Sequence, residues 1–126
     1  MDSWELLQFI EDISPKILNF DGIVFLDREN VGELGVRKKI DEYASKIEAQ
    51  RWINSVPIDN YLEQIIENWN LADPNISRIR EVYKRAWLNA CIASGVDVSD
   101  CSVVLITDDE TGDVIIRLTQ TAAHPS

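Results

Sequence analysis

In VLITDDETGDVIIRL, residues 104–118, Asp108, Asp109, Glu110 and Asp113 crowd around a single glycine. Carboxylates at that density could hold a hard cation. A calcium loop of the EF-hand kind needs ligands at alternating positions, a glycine at its sixth position and a glutamate at its twelfth. Counted from Asp108 or from Asp109, neither frame supplies them, so no metal is assigned. The same residues suit a tight hairpin turn, where solvated acids repel one another modestly and keep a sheet edge from aggregating.

Other catalytic constellations are equally thin. The one histidine, His124, lies two residues from the end, which argues against a triad or a histidine base. Asp27, at the end of an apolar run, is the acid best placed for a site in an open sheet, yet on position it reads as a turn residue or helix cap. NVGELGV, 30–36, lacks the third glycine of a dinucleotide fingerprint. Cys91 falls in an expected helix and Cys101 at the start of an expected strand, so the two should be free thiols and not a redox pair. No enzyme activity and no cofactor are expected.

A second group of acids follows helical spacing. Asp59, Glu63 and Glu67 sit at i, i+4 and i+8, opposite an apolar face of Ile58, Leu62, Ile65 and Trp69. Like charges so placed destabilise a helix by roughly 0.2–0.5 kcal/mol per pair. No Lys or Arg occurs between 52 and 77 to relieve them locally. The ridge therefore either meets a basic partner or is neutralised by a tertiary base such as Arg78. Of the four tryptophans, Trp4, Trp69 and Trp87 fall on apolar stripes and are expected in the core. Trp52 beside Arg51 lies off its stripe and is the aromatic candidate for a partly exposed anchor.

With 22 acids against 12 bases, the 126 residues carry a net charge of −10. The charge is uneven: −6 over residues 1–35, +1 over 36–94 and −5 over 95–126. Such a field disfavours nucleic acid and anionic membrane and favours a cationic partner. The basic residues Arg37, Lys38 and Lys39, and Arg78, Arg80, Lys84 and Arg85, read as solvated helix faces or as intramolecular partners for the acidic ends. Acids near the N-terminus stand where a signal peptide needs bases, and no apolar run approaches a membrane span, so a cytoplasmic protein is expected.

The elements that must position these groups follow from periodicity. A helix starts at Asp2 or Ser3, with Trp4, Leu7, Phe9 or Ile10, and Ile13 recurring on one side; SPK at 14–16 interrupts it before a second short turn. The strand at 22–28 is apolar on both sides, Ile23 and Phe25 against Val24 and Leu26, and should be covered on both. Val36, Ile40, Tyr43, Ala44 and Ile47 make a helix stripe that extends toward Ile53, and Pro57 and Asp73–Pro74 mark two further helix starts. The last of these helices runs to Gly95.

In the C-terminal hairpin, 102–119, a type I turn at 109–112 with a left-handed Gly112 sets Asp109 opposite Asp113. That register faces Ile106 with Ile116 and Val104 with Leu118, leaving Val103, Leu105, Thr107, Ile115, Arg117 and Thr119 on the other face. The expected architecture is one α+β domain, residues 1–121, with a disordered tail at 122–126. A small, mainly antiparallel three-stranded sheet, made of the 22–28 strand and the hairpin, packs against about four helices.

The function expected from these features is a non-enzymatic, acidic protein-binding module that neutralises a basic protein partner, such as an immunity or inhibitor protein of a nuclease toxin. The alternative is an acidic secretion chaperone or adaptor, which needs an exposed apolar surface. The residues expected to meet the partner are Asp59, Glu63, Glu67, Trp52, Asp108, Asp109, Glu110 and Asp113. The oligomeric state is left open by the sequence.

Overall fold

The Asp-Gly pair after KILNF decides how the molecule starts, because glycine there adopts the positive φ that a two-residue hairpin turn requires. In the computed structural model, which describes residues 3–20, 22–65 and 73–121, Gly22 has φ 91°. It joins β1 (Lys16–Phe20) to β2 (Ile23–Asp27) as an antiparallel pair, following helix α1 (Ser3–Ile13). The segment after SPK is thus a strand and not a helical turn. The strand expected at 22–28 pairs within this hairpin of its own.

Helices α2 (Gly32–Asp41) and α3 (Lys46–Ile53) divide what periodicity alone would run together. Ser45 is extended and its side chain accepts from the Glu48 N–H, while the Glu48 carboxylate accepts from the Ala44 N–H, so a local cap starts the second helix. Pro57 closes a three-residue strand, β3 (Ser55–Pro57), and α4 (Asp59–Ile65) begins two residues later than expected. Helix α5 (Pro74–Ala93) starts as predicted, with the Asp73 side chain accepting from the Asn75 N–H. Strands β4 (Cys101–Thr107) and β5 (Val114–Gln120) form the C-terminal hairpin, and the second sheet has the order β3-β5-β4. The result is an α+β fold with a two-stranded and a three-stranded antiparallel sheet. The expected tail, 122–126, and Ile66, Glu67 and Trp69 lie outside the described residues.

The hairpin register differs from expectation by one residue. Ile116 pairs with Leu105 and Leu118 with Val103, because the Asp108 N–H donates to the Asp113 carbonyl at 2.8 Å and makes Asp108, not Asp109, the partner of Asp113. The loop holds four residues. Asp108 accounts for the extra one, since its carboxylate accepts from the Glu110 N–H at 2.8 Å and the Thr111 N–H at 3.2 Å. Gly112 does take the left-handed conformation, φ 75°. On β5 the predicted core face of Val114, Ile116 and Leu118 is correct and buried, whereas on β4 Val103 takes the place expected for Val104.

The main core packs Tyr83, Trp87 and Cys91 of α5 against Val103, Ile116 and Leu118 of the hairpin, with Val56, Ile58 and Leu62. Val24 and Leu26 join this core, while Phe25 turns the other way into a smaller one with Val36 and Ala49. The strand apolar on both sides is covered on both sides. Between the cores, the free edge of β2 is closed by amide side chains. Gln120 accepts from the Val24 N–H at 3.1 Å, Asn54 accepts from the Leu26 N–H at 2.9 Å, and Gln50 and Asn54 both donate to the Val24 carbonyl. Asn54 also accepts the Leu118 N–H on its backbone carbonyl, so one residue ties the two sheets together.

Trp4 is not in the core; it is 73% exposed. Helix α1 is rotated so that Phe9, Asp12 and Ile13 face inward, because the buried Asp12 carboxylate meets Arg28 Nε at 3.1 Å and the Tyr61 hydroxyl at 2.8 Å. Trp87 Nε1 donates to the Asp12 carbonyl at 3.0 Å and fixes the same face. That rotation leaves Trp4, Leu6, Leu7 and Ile10 outside.

Candidate functional site

Strand β3 runs antiparallel to β5 as far as Pro57, and this brings Asp59 to the acidic turn. The Asp59 carboxylate accepts from the Val114 N–H at 2.6 Å, and the Ile58 N–H donates to the Val114 carbonyl at 3.0 Å. The first acid of α4 therefore sits at the base of the acidic turn, one residue from Asp113. Its carboxylate holds the strand end, which relieves an otherwise unpaired backbone donor. Asp108 is likewise occupied, by the turn's own N–H groups.

Asp109, Glu110, Asp113 and Glu63 are exposed and enter no ion pair among the described residues. Glu67 lies outside those residues. No ion pair links Arg78 to Asp59 or Glu63; it lies on α5 around Val82 with Arg85. No group of three or more acids, cysteines or histidines among the described residues is arranged to hold a metal ion.

Trp52 is 43% exposed, at the end of α3. The Arg117 guanidinium lies 5.1 Å from its ring centroid and donates through Nε to Ser55 Oγ at 2.8 Å. Burial and the nearby Arg51 pull the Arg117 pKa down, and the charge of Asp108 acts the other way. Trp52 thus covers the outer face of the three-stranded sheet and lines a cleft of about 250 Å³ with Tyr43, Lys39 and Glu42. The structure does not merge it with the acidic end into one surface of shared contacts.

A wider cleft of about 700 Å³ lies between α1 and the loop after β2, with Gln8, Glu11, Lys16, Asp27, Arg28 and Glu29 on its walls. Two of its acids are committed. Asp27 accepts from the Val31 and Gly32 N–H groups at 2.9 Å each, the cap its position suggested, and Glu29 pairs with Lys39 at 3.0 Å. Within α2, Arg37 pairs with Glu33 one turn before it at 2.9 Å.

Elsewhere in the core, burial raises the Cys91 pKa to about 11, and burial and Asp12 together push the Tyr83 hydroxyl upward. Both cysteines are free thiols. Asp12, Gln50, Asn54 and Gln120 were not singled out from the sequence. Asp12 carried a signal, an acid on the Phe9 and Ile13 face of its helix; the three amides carried none.

The chain matches no protein-family model, and no curated protein and no solved structure matches it.

Proposed function

We propose that this chain is a non-enzymatic, acidic protein-binding module that neutralises a basic protein partner, in the manner of an immunity or inhibitor protein of a toxin such as a nuclease. The observation that supports this reading is the acidic end. The antiparallel pairing of β3 with β5 sets the start of α4 against the hairpin turn, and Asp109, Glu110, Asp113 and Glu63 remain exposed without an internal cation among the described residues. With a net charge of −10 behind them, such groups speed the encounter with a cationic surface and cover a site that binds nucleic acid.

The test is affinity capture from the native host at about 50 mM and about 500 mM salt, using the wild type and an Asp109→Asn, Glu110→Gln, Asp113→Asn variant. A basic protein should be retained at low salt by the wild type and lost by the variant. Retention of no basic protein, or equal retention by both, overturns the reading. A secretion chaperone or adaptor is the second reading, supported by the exposed Trp4, Leu7 and Ile10 of α1. It requires that Trp4→Ala, and not the acidic variant, abolish capture.

A further inference from the structure

Strand β4 is the outer strand of its sheet, and the direction of its backbone groups is fixed twice over. The Asp108 N–H donates to the Asp113 carbonyl, so the hydrogen-bonded pairs of the antiparallel ladder continue as Ile106 with Ile115, Val104 with Arg117 and Ser102 with Thr119. On the far side of β5, the Leu118 N–H donates to the Asn54 carbonyl and the Ile58 N–H to the Val114 carbonyl. Residues 114 and 118 of β5 therefore face β3, and 115, 117 and 119 face β4. Both observations turn the N–H and C=O groups of Val103, Leu105 and Thr107 away from the sheet. None of these groups has a hydrogen-bond partner among the described residues.

The strand itself is CSVVLIT, seven residues with no charge and no proline, and its ladder is unbroken by a bulge. Proteins usually block such an edge. Val103 is only 6% exposed, while Leu105 is half-buried and Thr107 exposed, so the accessible stretch is the end beside the acidic turn. Self-pairing in one register is opposed by charge. A two-fold axis at Val104, which would match the outward groups of Val103 and Leu105 with those of a second copy, also sets Asp100 against the second copy's Asp108 at both ends.

We infer that the open edge of β4 accepts an extended segment of the basic partner as an added strand, with apolar residues at alternate positions along Leu105 to Thr107 and Lys or Arg where the segment meets the 108–113 turn. This rests on the proposed function and specifies how that partner is held. Main-chain hydrogen bonds supply the attachment, the half-buried Val104 and Ile106 side chains offer apolar neighbours, and the acids select for positive flanks.

The probe is a capped peptide, Lys-Lys-Val-Thr-Val-Thr-Val-Lys-Lys, with three comparison peptides: two N-methylated on alternate central amides, one in each phase, and one with Glu in place of every Lys. Amide hydrogen exchange followed by NMR should find Leu105 and Thr107 unprotected in the free protein and at least tenfold slower at saturation. Either N-methylated phase that faces β4, or the Glu flanks, should weaken binding at least tenfold, and so should Thr107→Pro, which removes an outward N–H without touching the ladder. The inference fails if the N-methylated peptides bind like the parent, if the two amides are unchanged at saturation, if no basic probe binds, or if sedimentation shows that the free chain already protects them by pairing with a second copy. A basic probe that binds without moving these amides sinks strand addition alone. Failure of the basic-partner reading is registered separately, by the capture experiment.

Discussion

Strands β2 and β4 are each paired along one side only, and the molecule treats their free sides in opposite ways. Along β2, Gln50, Asn54 and Gln120 reach in and bond the Val24 and Leu26 backbone as a neighbouring strand would. Along β4 the outward groups of Leu105 and Thr107 meet no side chain among the described residues. The difference teaches that an unpaired edge in this fold is not an unavoidable by-product of a small sheet. Where an edge would be buried between two cores, the chain supplies amides, since buried groups without partners cost about 1–3 kcal/mol each. Where it faces outward beside the acids, it supplies nothing.

The sharpest way to break this comparison is Asn54→Leu. It strips the acceptor from the Leu26 N–H and one donor from the Val24 carbonyl in a fully buried position, so urea unfolding should show a loss on the order of 3 kcal/mol or more. A loss below about 1 kcal/mol would mean that the amides do not close the edge.

Proline substitutions ask the same question of β4. Ile106→Pro removes an N–H directed at β5 and should cost about 3 kcal/mol, while Thr107→Pro, whose N–H points outward, should cost about 1 kcal/mol or less. Equal losses would show that the backbone directions have been misread.

Alkaline unfolding separates the amides from the ionisable core. Cys91 titrates at about 11 in the fold against an ordinary 9.0, so its neutral form is favoured by folding. The sign is that of a raised pKa: the contribution is complete below about pH 9 and is lost as pH rises through about 11. Each unit is worth about 1.4 kcal/mol, which puts the loss on the order of 3 kcal/mol. Cys91→Ala should flatten this part of the profile, measured by unfolding at stepped pH, and Tyr83 adds a loss of the same sign. The Asn54→Leu variant should keep the same slope, because neutral amides do not titrate.

The smallest effects belong to the turn, and they divide its acids. Asp108→Ala frees two backbone N–H groups and should cost about 1 kcal/mol, whereas Asp109→Asn and Asp113→Asn should stay within about 0.5 kcal/mol. Thermal melts of the three variants check this.

These contrasts follow the boundary of what the sequence discloses. Helix α5, with Asp73 before it and Gly95 after it, the two-faced β2 and the core face of β5 were all legible, because each follows from a strong local period or a strong cap. The Asp-Gly hairpin at β1 and β2 was legible too, but the helical reading of the preceding segment obscured it. Strand β4 could not be oriented from its own residues, since Val103 and Leu105 are matched on its opposite face by Val104 and Ile106. The Asn54 junction and the rotation of α1 around Asp12 depend on contacts far apart in the chain, which no local pattern records. Of the candidate site, the acids of the turn were visible as a group, but that Asp59 joins them at Val114 was not.

The four-residue loop between β4 and β5 has a consequence for how this protein can vary over generations. Moving β4 one residue toward the turn puts Val104 in the place of Leu105, a loss of one methylene that a core accepts at modest cost, and Ser102 in the place of Val103. Loss of a single codon, with the four-residue loop retained, would therefore invert the strand at the cost of a serine opposite Leu118, and the backbone groups offered at the rim would pass from Leu105 and Thr107 to Val104 and Ile106. Loss of two codons would restore the original set. Chain length ahead of β5 acts here as a parity counter, through which a small deletion can re-address the rim without any change in the strand that forms it.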